Sequence, residues 1–233
     1  MGRGSAGSLR LPAFDNAIQL ATMDETSQGG EPMDIDLNAL EPRHAHDLLT
    51  SCLIPRPIAW VATVDGAGRH NLAPFSFFTG VQWHPPVLAV SVVNRADGTR
   101  KDTVVNIEQT GEFVVNLVST ELLHAMERTA AALPAGEDEA LLPDIRLAPS
   151  RMVRPCRVAE ARVAFECALE RIVRVDEGPN AGNLILGRVL SLHVRDDLLI
   201  DGREVDWRGL DPLGRLSGDR YCAVESVLVS EKH

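Results

Sequence analysis

Residues 56–79 read Arg56-Pro57-Ile58-Ala59-Trp60-Val61-Ala62-Thr63-Val64, then Asp65-Gly66-Ala67-Gly68, and from position 71 Asn71-Leu72-Ala73-Pro74-Phe75-Ser76-Phe77-Phe78-Thr79. The run from Ile58 to Val64 is apolar and partly β-branched, the composition of a buried strand. The Asp-Gly-Ala-Gly stretch is a turn signal, and Asn71 to Thr79 reads as the returning strand, so the whole predicts a hairpin. Working outward, Pro85-Pro86 introduces a third strand over Val87–Val93, and Lys101–Gln109 predicts a short helix closed by Thr110-Gly111. Glu112–Leu117 returns to strand, and Thr120–Ala132 fits a helix with Thr120 as N-cap. Residues 133–150 form a loop rich in proline. Val163, Phe165, Cys167 and Leu169 then alternate with more polar positions, the period of a half-buried strand, which a turn at 176–182 joins to Leu184–Val194. Upstream, His44–Cys52 has helical spacing and ends at Ile54-Pro55-Arg56-Pro57. Strands outnumber helices, with no βαβ rhythm and no internal repeat. The pattern predicts a mainly β fold: an antiparallel barrel with short peripheral helices.

Composition limits what such a barrel can do. The chain has 233 residues, 45% hydrophobic and 24% charged, enough apolar material for one sizeable core. Its formal charge is -10, from 33 acids against 23 bases, which argues against broad binding to nucleic acid or anionic membrane. No apolar run approaches the roughly 20 residues needed to cross a bilayer. The four cysteines are scattered, without a disulfide or zinc pattern, and the N-terminus lacks signal-peptide features, so a cytoplasmic address is expected. Residues 1–40 read as a flexible leader or dimer arm, since only Leu9, Leu11, Phe14, Ile18 and Leu20 interrupt a Gly/Ser-rich and later acidic composition. The folded domain is expected over residues 41–230.

The common self-announcing catalytic motifs are missing: no dinucleotide or phosphate glycine loop, no serine elbow, no zinc helix. No metal site is expected, and His44-x-His46 reads as solvated helix surface. Three neighbouring segments nevertheless place polar groups where a strand would rather not have them. They are Arg56-Pro57, Asn71 through Phe77, and Asn94-Arg95 with Lys101-Asp102-Thr103. Singly, each has an ordinary reading as a cap, a surface hydroxyl or a helix start. Together they suit a flat anionic ligand. Arg56, Arg95 and Lys101 offer charge-assisted donors for a phosphate, Ser76 and Thr103 offer hydroxyls, and a helix opening near Asp102 offers free amides. Trp60, Phe75 and Phe77 are expected to border a ring, with Asn71 at its polar edge. FMN satisfies these demands together; another nucleotide or pyridoxal phosphate does so less fully.

The ordered set Pro55-Arg56-Pro57-Ile58, Asn71 to Phe78, Pro85-Pro86, Lys101-Asp102-Thr103 and Gly111-Glu112-Phe113-Val114-Val115-Asn116 closely resembles the flavin-reductase-like family, in its flavoredoxin-like and flavoprotein-oxygenase-associated branch. The likeness continues more loosely through Gly187-Arg188-Val189, His193 and Pro212-Leu213-Gly214-Arg215. It implies an FMN-binding split β-barrel of Greek-key type, a homodimer, and NADH or NADPH as co-substrate. Several relatives pass reduced flavin to a separate monooxygenase. Carried onto this chain, the flavin phosphate falls near Ser76, Arg95, Lys101, Asp102 and Thr103, with Asp102 holding Lys101 or capping the helix. The ring falls along Arg56, Pro57, Asn71, Ala73, Pro74, Phe75 and Phe77. His193 is the candidate catalytic residue on the nicotinamide side, and Tyr221 is a second candidate for that side. An FMN electron-transfer protein, a flavin-dependent oxygenase and a barrel without flavin are the alternatives.

Overall fold

The computed structural model describes residues 34–130 and 145–230. The expectations for an apolar leader arm at residues 9–20 and for most of the 133–150 loop lie outside those residues. The chain divides into two units, Met1–Leu40 and Glu41–His233, and every described strand belongs to the second.

In chain order its strands are β1 (Arg56–Pro57), β2 (Ala59–Val64), β3 (His70–Phe75), β4 (Phe78–Trp83), β5 (Pro86–Val93), β6 (Glu112–Leu117), β7 (Leu147–Ala148), β8 (Arg157–Val158), β9 (Val163–Arg174), β10 (Gly182–Val194), β11 (Leu199–Ile200), β12 (Glu204–Val205), β13 (Leu213–Arg215) and β14 (Tyr221–Ala223). The helices are α1 (Pro42–Cys52), α2 (Asp102–Thr110), α3 (Leu123–Ala130) and the single turn α4 (Trp207–Leu210). Among the described residues no helix is long and apolar enough to cross a membrane.

Seven strands pair in the order β3-β2-β6-β9-β10-β5-β4, every pairing antiparallel. The two ends of that order, β3 and β4, are consecutive in sequence, and only Ser76 and Phe77 separate them. The barrel therefore turns its last corner through two residues without a ladder between β3 and β4, and the Phe77 carbonyl, accepting from the Ser91 amide at 2.8 Å, carries the β4–β5 pairing up to that split. From β5 the chain returns by way of α2 to lay β6 beside β2, the long return of a Greek key. The predicted antiparallel barrel with peripheral helices is what forms.

The β2–β3 hairpin folds as its sequence dictates. Asp65 accepts from the amides of Ala67 (2.8 Å) and Arg69 (2.9 Å), while Gly68 takes the positive φ of 85° that side chains disfavour. β2 is buried on both faces. Val61 points into the barrel with Val92, Ile107, Phe113 and Val115; Trp60 points outward into a second core with Leu72, Val114 and Met126 of α3. Trp60 is fully buried and donates its indole N–H to Thr129 at 2.9 Å, so it anchors α3 and does not border a ligand. Close packing also fixes one glycine: a Cβ at Gly187, where β10 bulges, would stand 2.2 Å from the Phe113 ring.

Three local expectations change. The strand expected over 71–79 breaks at Ser76-Phe77 into β3 and β4, because the barrel must turn there. Ser119, not Thr120, precedes a 3₁₀ turn that leads into α3, while the Thr120 hydroxyl donates to Asp211. The first half of β9 is buried on both faces rather than one. Its Glu166, 3% exposed, is tolerated because its carboxylate accepts from the backbone amides of Arg151 and Met152.

Candidate functional site

The unlaced corner at Ser76-Phe77 is where the sequence-predicted residues gather, and Arg56 organises one flank of it. β1 places the Arg56 side chain inward, 8% exposed, below the end of α1. Its Nη1 donates to the carbonyls of Thr50 (2.7 Å) and Leu53 (2.6 Å), its Nη2 to that of Leu216 (2.9 Å), and its Nε to Ser76 Oγ (3.1 Å). Four of the five guanidinium N–H groups are thus spent inside the protein. Arg56 was expected to hold a phosphate; instead it clasps α1, the 216–220 segment and the Ser76 corner into one unit, with the Phe77 ring centroid 5.8 Å from its Cζ. The clasp consumes donors but not charge, since every partner is neutral. Burial and the neighbouring Arg215 charge hold its pKa below the ordinary arginine value.

On the other flank, Lys101 immediately precedes α2 in extended conformation, and its Nζ lies 5.4 Å from the centroid of Phe75. It forms no ion pair with any described residue. Burial first, and then the Arg95 charge, push its pKa down. Behind it the amides of Asp102 and Thr103 have no helical acceptor. Asp102 was assigned to Lys101 or to the helix cap, but it binds Arg95 at 2.9 Å, while Arg95 also donates to the Arg100 carbonyl. Arg95 is thereby half neutralised, and Lys101 is the unpaired cation.

Thr103 does not present its hydroxyl to the open corner. It is 1% exposed and accepts from Asn71 Nδ2 at 3.0 Å. Thr63 accepts from both Asn71 (3.3 Å) and Asn106 (3.0 Å), so these residues form a buried seam joining α2 to β2 and β3. Asn71 keeps its side-chain oxygen free for other use, but its donors belong to the seam. Ala73 packs against the barrel interior, and Pro57 is exposed opposite Gly214 of β13.

A cavity of about 320 Å³ opens at the corner, floored by Pro74, Phe75, Ser76 and Phe77. A second, of about 200 Å³, shares Pro74, Phe75, Ser76 and Arg215 and extends to Met126 and Tyr221. The walls include residues that sequence reasoning left out. Arg43, His46, Asp47 and Thr50 line the larger cavity from one face of α1, at helical spacings of three and four. Of these four, only His46 enters the sequence reading, as part of a His44-x-His46 pair on solvated helix surface. Arg215 and Asp219 line it from the other side, with Arg215 donating to the Tyr221 hydroxyl and lying 4.5 Å from the centroid of that ring. Burial raises the Tyr221 pKa.

His193 stands apart. It pairs across β9 with Ala164, whose side chain belongs to the outer core, and it lines neither corner cavity. The charges that act on it are those of Arg157, Asp196 and Glu166, and burial is the largest influence lowering its pKa. Within this chain, then, Arg56, Pro74, Phe75, Ser76 and Phe77 line one corner cavity together with Arg215 and α1, Lys101 adjoins it through the Phe75 ring without lining it, and His193 neither lines it nor shares its core.

Residues 50–208 match the family described as flavin reductase like domain. A protein of Deinococcus radiodurans without assigned function is 43% identical over 190 residues, covering 78% of this chain and 82% of that one. Nitrilotriacetate monooxygenase component B from Bacillus cereus superposes with a TM-score of 0.82 at 35% identity, covering 87% of this chain and all (100%) of that one. The Pseudomonas fluorescens 2-nitrobenzoate 2-nitroreductase gives 0.78 at 26% identity, over 86% of this chain and 96% of that one.

Proposed function

The chain belongs to the flavin-reductase-like family, and from that premise we propose that it binds FMN at the Ser76-Phe77 corner and reduces it with NADH or NADPH. The observation that carries the reading is Lys101: a partly buried ammonium over an aromatic ring, without a carboxylate partner among the described residues, at the start of α2. A cation so placed is costly unless an anion completes it. The residues present therefore fit a phosphate at Lys101, with Arg95 in support, and a planar ring over Pro74–Phe77.

Bound there, FMN would supply two-electron chemistry, accepting hydride from a nicotinamide and yielding reduced flavin. The protein's part is binding and positioning. Lys101 neutralises the phosphate, Arg56 fixes Ser76 and Phe77 in place, and Phe75 and Phe77 exclude water from the ring's near face. No side-chain acid or base is required for that hydride transfer.

Similarity to a monooxygenase component supports a further step in the same reading: reduced flavin is released to a separate monooxygenase. A homodimer belongs to it too. β4 is exposed along nearly its whole length, with Val81 at 51% and Trp83 at 93%, an apolar edge suited to a second copy. Light scattering of the flavin-loaded protein should give twice the chain mass, and a monomer would remove that element.

The central test is a titration of apoprotein with FMN followed by anaerobic addition of NADH or NADPH. Saturable binding and bleaching of the flavin absorbance are expected. Binding without bleaching would make the protein an electron carrier, and no binding would end the reading.

A further inference from the structure

The larger corner cavity has two unlike walls, and only one is occupied by the flavin reading. Besides its aromatic floor the cavity is lined by three arginines, Arg43, Arg56 and Arg215, and two aspartates, Asp47 and Asp219. This is a local positive excess in a chain whose formal charge is -10. Arg56 has spent its donors on carbonyls and Ser76, and Arg215 is engaged with Tyr221 and the Gly218 carbonyl. Arg43 is different. Its side chain is 88% exposed, its one partner is a 3.4 Å contact with Asp47, and the rest of its guanidinium is open.

Its place in α1 is also unfavourable for the helix alone. Arg43 sits in the first turn, where the helix dipole disfavours a cation, and no acidic residue accompanies it there. We propose that Arg43 receives the phosphate-bearing limb of the nicotinamide dinucleotide at the mouth of this cavity, and so sets KM for NADH and NADPH without setting FMN affinity. The assignment rests on the flavin-reductase reading above. It separates two anion sites by element: Lys101 and α2 hold the flavin phosphate, while α1 meets the second nucleotide as it comes to lie over the flavin. In an acidic protein such a contact also counters the general repulsion of a polyanionic co-substrate.

The experiment compares Arg43→Gln and Arg43→Glu with Arg203→Glu, a reversal of the same charge on the β11–β12 hairpin, all in the full chain. The readouts are KM and kcat for both nucleotides, the Kd of NADP⁺ from flavin fluorescence, the FMN Kd, and the urea midpoint. For Arg43→Gln, KM and the NADP⁺ Kd should rise about fivefold, the scale of one exposed charge-assisted contact, and further for Arg43→Glu. Both variants should keep kcat and FMN Kd within about twofold, and Arg43→Glu should have a urea midpoint close to that of wild type, because an acid suits that helix turn but faces Asp47 one turn on. A larger effect on NADPH would place the 2′-phosphate at Arg43, and equal effects would place the diphosphate there; either supports the assignment. Unchanged KM, an equal effect from Arg203→Glu, or an FMN Kd that rises with KM would overturn it. Failure of the wild type to reduce FMN with either NADH or NADPH would overturn the flavin-reductase reading itself, and that result appears before any variant is made.

Discussion

Arg56 and Lys101 meet the same four-residue segment, Pro74–Phe77, and the fold treats the two cations in opposite ways. Arg56 is buried and its donors are consumed by three carbonyls and a hydroxyl. Lys101 is partly buried, rests over Phe75, and has no anionic partner among the described residues. A planar guanidinium can satisfy several fixed acceptors at once, so it suits a clasp; an ammonium on a flexible stem suits a site whose anion arrives later. The difference teaches how to sort cations near a corner. A spent cation holds the protein together, and an unspent one waits for a ligand.

The widest separation between the two flanks should appear in stability. Arg56→Ala removes four charge-assisted bonds that tie α1, β1, the 216–220 segment and Ser76 together. We expect a loss of about 3 kcal/mol in urea unfolding, more than any other single change at the corner. Loss of FMN affinity in a variant of undiminished stability would break the comparison, because Arg56 would then be acting on the ligand directly.

Lys101→Met should do the reverse. Unfolding should be unchanged or slightly later, since a desolvated charge is removed, whereas FMN affinity should weaken by about 1–3 kcal/mol, the range for a charge-assisted bond. A destabilised variant with intact FMN binding would make Lys101 a second structural cation and erase the contrast.

A pH series sharpens the same point with a smaller effect. Burial lowers the Lys101 pKa from 10.5, so the folded protein binds this proton less well than the unfolded chain does. Stability contributed by this group should therefore rise as pH climbs through the lowered value, and level off above 10.5. FMN affinity should fall over the same range, because only the charged lysine attracts phosphate. Opposite trends from one group are hard to imitate, and Lys101→Met should flatten both.

How much of this could be read from the chain follows from the range of the interactions. The barrel was legible because period-two patterning, Asp65-Gly66-Ala67-Gly68 and Gly111 are local signals whose meaning does not depend on distant partners. The floor of the site was legible too, since Pro74 to Phe77 is contiguous. Arg56, Thr103 and Asp102 were placed in the right neighbourhood with the wrong partners. Which acceptor a donor finds depends on segments far away in sequence, such as Leu216 for Arg56, 160 residues on. The α1 stripe was visible, but nothing local distinguishes a polar helix face against solvent from one against a cavity. The break at Ser76-Phe77 was hidden because it arises from barrel closure, a property of all seven strands together.

His193 provides the smallest effect and tests the boundary of the site. Its imidazole faces the outer core side of β10, among the charges of Arg157, Asp196 and Glu166, and burial followed by the Arg157 charge lowers its pKa below 6.5. A histidine with a lowered folded pKa favours the native state while neutral. Its contribution is present above 6.5 and is lost as pH falls toward the folded value, because the unfolded chain takes up the proton first. Wild type should therefore lose somewhat more stability than His193→Gln on going from about pH 7.5 to about pH 5.5. FMN affinity and KM for NADH and NADPH should stay the same in the variant, since His193 lines neither corner cavity. The opposite pattern, a raised KM with an unaltered pH–stability curve, would return His193 to the nicotinamide side. Because this chain's own corner cannot reach it, that outcome would require the imidazole to act on the flavin of a second copy, and mixed dimers of His193→Gln with Lys101→Met chains would then recover one working site.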